Sequence, residues 1–99
     1  MRTAKKVELV TFPNVEIQEN IKFDAVAEAG TFTLHFKWFN DRWNLWVTLP
    51  DGTIREAGVI PNILNWTGSQ DYGLCFKTNL SEIDYSSLKL TEILIITWL

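Results

Sequence analysis

The stretch 31-TFTLHFKWFNDRWNLWVTLPDG-52 decides the fold of this chain. Large apolar residues alternate with polar ones along two runs, which Asn40-Asp41 separates. Alternation with a period of two places each apolar set on one face of a β-strand. The two inward sets are Phe32, Leu34, Phe36 and Trp38 in the first strand and Trp43, Leu45, Val47 and Leu49 in the second.

A two-residue turn at Asn40-Asp41 would fix the register of this hairpin. Asn and Asp are among the few residues that tolerate the positive φ of such turns. The predicted cross-strand pairs are Trp38–Trp43, Phe36–Leu45, Leu34–Val47 and Phe32–Leu49. Every inward residue then meets an inward residue, whereas a slip of one position would place large apolar side chains opposite polar ones.

The outward face of the same hairpin is mixed, and it carries two large aromatics, Phe39 and Trp46, beside His35 and Arg42. A large aromatic on the outside of a small domain tends to mark a contact. We therefore expect Phe39 and Trp46 to be covered by another part of the chain or by a neighbouring subunit.

The closing segment 88–99 contains the run Ile93-Leu94-Ile95-Ile96, which is apolar on both faces of a strand. Such a strand is expected in the middle of a sheet, with cover on both sides. A chain of 99 residues can hardly cover both sides of every strand. We therefore add Trp98 to Phe39, Trp46, His35 and Arg42 as the candidate subunit interface.

Further strands and turns make the whole chain all-β. Turn signals recur along the sequence, Pro50-Asp51-Gly52 among them, and no long window has a helical apolar stripe. The polar segment 79–87 has room for a single helical turn. The remaining predicted strands cover residues 6–12, 15–17, 21–27, 53–57, 74–78 and 88–99. We predict one β domain over residues 1–99, a small antiparallel barrel or sandwich of six to eight strands with the Trp-rich hairpin at its centre.

Composition narrows the classes of function. The formal net charge is −3, and the basic residues are scattered. Nucleic acids and anionic membranes both need a concentrated basic face, so we expect neither as a partner. The chain has one cysteine, which excludes an internal disulfide, and no apolar segment as long as a membrane span.

The sequence offers no signature of catalysis, a cofactor or a metal. His35 is the only histidine, Cys75 the only cysteine, and a structural zinc site needs about four such ligands. We expect His35 to lie beside Trp46 as an ordinary cross-strand pair and Cys75 to be an inert, buried thiol. The expectation is a protein that is not an enzyme and binds no cofactor.

A binding module is the alternative that the residues leave open. Aromatic side chains on a β surface hold bases or sugars in many small barrels, and the outer face of the hairpin has two aromatics and two cations. Single-strand binders combine such stacking residues with a positive groove. A free-standing module for nucleic acid or carbohydrate is therefore the second hypothesis.

The order of these elements resembles the baseplate plug proteins of contractile-tailed bacteriophages, the cyanophage-type plug. The likeness covers about residues 30–99. It consists of TFTLHFKW (31–38), a polar turn, RWNLWV (42–47), Asp51-Gly52, GVIPNIL (58–64) and an apolar strand within 90–99.

The resemblance implies a structural role in the virion. A protein of this family would be assembled in the host cytoplasm and would lie in the tail baseplate. There it would plug or organise the end of the tail tube, next to the central hub and the tape-measure protein. The resemblance also implies self-association of three- or six-fold order, and it supplies no catalytic residue.

Overall fold

The computed structural model describes residues 3–65 and 72–98, and within them the chain forms seven β-strands and one short 3-10 helix. The strands are β1 (Ala4–Val10), β2 (Asn20–Ala27), β3 (Gly30–Phe39), β4 (Arg42–Thr48), β5 (Ile54–Ala57), β6 (Tyr72–Lys77) and β7 (Glu92–Trp98), and the 3-10 helix is Leu88–Leu90. The all-β prediction is confirmed.

The strands form two antiparallel sheets. One has the order β2-β3-β4-β5 and the other the order β1-β7-β6. No strand pairs with a strand of the other sheet among the described residues, so the architecture is a sandwich rather than a closed barrel.

The hairpin β3-β4 has the predicted register. Trp38 pairs with Trp43, Phe36 with Leu45 and Leu34 with Val47. The two turn residues, Asn40 and Asp41, have φ values of 55° and 57°, as a type I′ turn requires. The ladder ends at Thr33–Thr48, so the fourth predicted pair, Phe32–Leu49, lies just beyond it, with both side chains buried.

The core lies between the inner faces of the two sheets. The Phe36 and Phe76 rings meet edge to face across it, with centroids 6.0 Å apart, and Phe32 meets Tyr72 in the same way at 5.1 Å. Dispersion and apolar burial over this interface hold the sheets together. The largest fully buried side chains are Phe32, Phe36, Phe76, Leu34, Leu45, Leu74, Leu88, Ile93, Ile95 and Val47.

The closing strand β7 is central, as predicted, with β1 on one side and β6 on the other. Ile93 and Ile95 are buried in the core, whereas Leu94 and Ile96 are half-buried on the outer face. The strand starts later than expected, because Leu88 is fully buried in the 3-10 helix that precedes it. Leu99 lies outside the described residues.

The predicted strand at residues 15–17 is wrong. These residues belong to an irregular connection between β1 and β2, and no strand pairs with them in the described structure. Ile17 packs against the core, and its carbonyl accepts a hydrogen bond from the Tyr85 hydroxyl at 3.2 Å. Phe12 and Ile17 therefore anchor this connection to the core, and Val15 is exposed.

The segment 79–91 closes one end of the sandwich. Ile83 and Leu88 of this segment are buried in the core, and Tyr85 packs against it. The turn is held by Asp84 and Ser87: the Ser87 amide donates to Asp84 Oδ1 (2.9 Å), and the Asp84 amide donates to Ser87 Oγ (2.8 Å). Hydrogen bonds from Ser87, and then Ser86, hold the pKa of the Asp84 carboxyl below its usual value. The helical turn expected within 79–87 follows this turn, at Leu88–Leu90.

Candidate interaction surface

The outer face of the four-stranded sheet carries the two aromatics that the sequence left unexplained. We call this surface the hairpin face; its residues include Lys22, Asp24, His35, Lys37, Phe39, Arg42, Trp46, Ile54 and Glu56. The Phe39 and Trp46 rings stack, with centroids 6.4 Å apart and an interplanar angle of 25°. Phe39 is 45% exposed and Trp46 is half-buried. The pair therefore presents apolar surface to the outside of the sandwich.

Cations surround this aromatic pair. The Lys37 ammonium lies 5.4 Å from the centroid of the Trp46 ring, within reach of a cation–π interaction. Lys22 is on the neighbouring strand, and Arg42 is the cross-strand partner of Phe39. Positive charge at the rim of an aromatic surface favours an acidic or anionic partner.

His35 is the cross-strand partner of Trp46, as the sequence predicted. The two rings are tilted by 56°, with centroids 6.4 Å apart, so they touch without stacking face to face. Burial, and then the charges of Lys37 and Lys22, lower the pKa of the imidazole below its usual value. The ring is therefore neutral at pH 7, and its Nε2 donates a hydrogen bond to Asn20 Oδ1.

A shallow depression of about 280 Å³ lies in the middle of the hairpin face. It is lined by Lys22, His35, Lys37, Trp46, Thr48 and Ile54. Sequence reasoning missed Lys22 and Ile54, because their place beside Trp46 follows from the pairing of β2 and β5 with the hairpin. The usable signal was their outward position in the alternation of their own strands.

Trp98 does not belong to the same surface as the other four residues of the candidate interface. Phe39, Trp46, His35 and Arg42 are together on the hairpin face. Trp98 is on the other sheet, where its indole lies over Gly73 of β6. The candidate interface therefore divides into two surfaces on opposite sides of the sandwich.

A second cleft, of about 430 Å³, lies between β4, β5 and the segment 81–83. Arg42, Asp41 and Glu82 line it together with apolar residues, and neither His35 nor Cys75 does. Cys75 is half-buried in β6, and burial raises the pKa of its thiol, which disfavours the nucleophilic thiolate.

Residues 3–65 and 72–98 lack two kinds of feature. No three His, Cys, Asp or Glu side chains there come together as ligands for a metal ion. No helix in the same ranges has the length and apolarity needed to cross a membrane.

Comparisons of the chain with protein-family models, with curated proteins and with solved structures find no match in any of the three. The likeness to the baseplate plug proteins accordingly depends on the residues of the hairpin, the segment 58–64 and the closing strand.

Proposed function

We propose that this protein is a non-enzymatic assembly subunit of a bacteriophage or prophage tail baseplate. In this proposal it plugs or organises the end of the tail tube, and it binds the hub and tape-measure proteins there. The observation that carries the proposal is the stacked Phe39–Trp46 pair, which lies on the outer face of the hairpin within a rim of cations.

The composition of the hairpin face fits a protein–protein contact. Aromatic residues and Arg are enriched in the cores of interfaces and supply most of their binding energy. Phe39, Trp46 and Arg42 provide these residue types on one face. His35 is neutral at pH 7, so its burial by a partner would carry no cost for a desolvated charge.

The charge of the face indicates the character of its partner. On one surface of a chain whose net charge is −3, the cations Lys22, Lys37 and Arg42 outnumber the carboxylates Asp24 and Glu56. A partner that buries the aromatic pair should therefore present acidic residues around an apolar centre. We propose that this partner belongs to the hub or to the tape-measure protein, in an assembly of three- or six-fold order.

Binding of nucleic acid or carbohydrate is the second candidate, and the Trp46 depression with Lys22 and Lys37 favours it. A base or sugar could stack on the indole while the ammonium groups bind a phosphate. Glu56 pairs with Trp46 in the sheet register, and Asp24 lies on the same outer face. These carboxylates would repel a phosphate backbone, so we rank this candidate second.

Co-purification tests the proposal. The chain is co-expressed with the hub and tape-measure proteins of the same genome, and complexes are measured by size-exclusion chromatography with light scattering. We expect the chain to elute with one of them. Trp46→Glu should weaken this binding at least about tenfold. It replaces a central aromatic side chain with a negative charge, which the acidic residues expected on the partner would repel.

The control is Val26→Glu, which changes an 81% exposed residue at the other end of the same sheet and should leave binding intact. Circular dichroism checks that both variants are folded. The contrary result is a wild-type chain that binds neither protein and retains an oligonucleotide or a glycan that Trp46→Glu releases. That result would favour binding of nucleic acid or carbohydrate over the assembly role.

A further inference from the structure

The outer face of the three-stranded sheet is apolar over most of its extent. We call it the β7 face; its residues are Val7, Leu9, Leu64, Gly73, Cys75, Leu94, Ile96 and Trp98. Val7 pairs with Ile96 and Leu9 with Leu94, so these four side chains form two adjacent rows across β1 and β7. Pairing of β6 with β7 brings Cys75 to Leu94, next to the same rows.

A substantial part of this face is open to solvent. Val7 is 52% exposed, Leu9 62% and Leu64 51%. Leu94 and Ile96 are half-buried between them. Contiguous exposed apolar surface is uncommon on monomeric proteins, and it marks an interaction site.

The charges around the β7 face are few, and they lie at its two ends. Lys77 and Glu92 are register partners at one end, and Lys5, Lys6 and Glu28 lie together at the other. A two-fold axis that reverses the strand direction would bring these two ends together, and each of them carries charges of both signs. Nothing in the middle of the face, among the described residues, would repel an identical copy.

We propose that the β7 face is the contact surface of a symmetric dimer of this chain. Two identical faces meet across a two-fold axis, so each copy buries the same residues. The hairpin face is a poorer choice for such a contact, because Lys22 and Lys37 line the depression in its middle, where a two-fold axis would bring like charges together. The proposal does not depend on the proposed function, since the two faces lie on opposite sheets.

The size of the face determines how strong the dimer should be. Seven-residue strands at about 3.3 Å per residue, and three strands about 4.8 Å apart, give a face of roughly 23 by 14 Å. Two such faces bury about 640 Å² in total, below the roughly 1,000 Å² of a stable interface, so the contact should be weak and transient. We therefore expect a dependence of mass on protein concentration rather than a permanent dimer.

Analytical ultracentrifugation from about 1 µM to about 500 µM tests the dimer across that range. The wild-type chain should pass from monomer to dimer. Leu9→Lys places a charge in the centre of the contact and should weaken association at least about tenfold. Leu9 is largely exposed, so this substitution should leave the fold intact. The matched control is Val26→Lys, an exposed strand valine on the other sheet, which should dimerise like the wild type.

The Cys75 thiol is a native reporter of the same contact. It lies on the β7 face, so its rate of reaction with a thiol reagent should fall as protein concentration rises, and Leu9→Lys should abolish this fall. Trp46→Glu should change neither measurement, which separates this proposal from the proposed function. A wild-type chain that stays monomeric over the whole range, or a Leu9→Lys variant that dimerises equally well, overturns the proposal. A β7 face that is buried only by hub or tape-measure protein overturns it as well.

Discussion

The indole of Trp43 lies parallel to the phenol ring of Tyr85, with ring centroids 5.6 Å apart and an interplanar angle of 10°. Trp38 meets both rings edge to face. The Trp43 Nε1 donates a hydrogen bond to the Asp84 carbonyl at 2.9 Å. These contacts attach the segment 79–91 to the turn end of the hairpin, so one side chain supports both the sheet and the closure of the core.

Trp43→Ala should therefore destabilise the protein by about 3–5 kcal/mol, the range for removal of a buried large aromatic. A loss of this size approaches the whole stability of a small domain. Urea denaturation measures it. Trp43→Phe is the matched variant: it keeps a ring beside Tyr85 and loses the hydrogen bond to Asp84, so it should cost less. If Trp43→Ala unfolds at nearly the same urea concentration as the wild type, the residue is peripheral.

A substitution in the turn of the hairpin should stabilise the folded protein. Asn40 and Asp41 both have positive φ, and Asp41 is exposed. Asn-Gly is the preferred pair in a type I′ turn, because glycine adopts positive φ without a steric penalty. Asp41→Gly should therefore raise the free energy of unfolding by about 0.5–1 kcal/mol. Asp41→Val should lower it, since a β-branched residue is strained at this φ. Thermal denaturation compares the two, and equal melting temperatures would contradict the turn geometry.

The hairpin shows how much the sequence could predict. Its register follows from alternation and turn chemistry, both of which are local, and the pairs Trp38–Trp43 and Leu34–Val47 are as expected. The central place of β7 follows from its two apolar faces for the same reason. The sequence also predicted the part of the hairpin face that the hairpin itself contributes, which includes Phe39 and Trp46.

Features that depend on distant pairing could not be predicted. The pairing of β1 with β7 joins the two ends of the described chain, and no local pattern specifies it. Trp98 was grouped with Trp46 for that reason, although the two are on different sheets. Residues 15–17 have a strand-like composition, but no strand lies beside them in the part of the chain that the structure describes. The sequence gives no sign of the stacking of Tyr85 on Trp43, because the two residues are remote from each other along the chain.

The packing of Trp98 on Gly73 can be tested by a double-mutant cycle. A Cβ atom at position 73 would lie 3.1 Å from Cζ2 and 3.3 Å from Nε1 of the Trp98 indole. Gly73→Ala should therefore displace the indole by a few tenths of an ångström, and the change should be less favourable than it would be without the indole. In a Trp98→Ala background the clash is gone, and the same change should be neutral or stabilising, because alanine loses less backbone entropy than glycine. Equal effects of Gly73→Ala in both backgrounds would show that the two residues are not coupled.

The environment of His35 predicts a dependence of stability on pH. Its pKa is lowered by burial, by Lys37 and by Lys22. The unfolded chain, with an ordinary imidazole, binds a proton at a higher pH than the folded chain does. The contribution of His35 to the free energy of unfolding is therefore fully present above about pH 6.5. It is lost as the pH falls from there through the pKa of the folded state.

The chain has one histidine, so its ring protons give an unambiguous NMR titration. We expect a pKa below the ordinary value in the wild type. Lys37→Met should raise that pKa, because it removes the larger of the two charge repulsions that act on the imidazole. Lys77→Met on the other sheet is the control and should leave it unchanged. A wild-type pKa above 6.5 would contradict this account of His35.

Examination of purified phage particles tests the proposed role most directly. Particles, or induced prophage tails, from the genome that encodes this chain are analysed by mass spectrometry and by cryo-electron microscopy. The proposal predicts that the chain is present and that a seven-stranded sandwich lies at the baseplate end of the tube, with Phe39 and Trp46 of its hairpin face against the hub or the tape-measure protein. Complete, infectious particles that lack the chain would contradict it, as would a position in which Trp46 contacts no other protein.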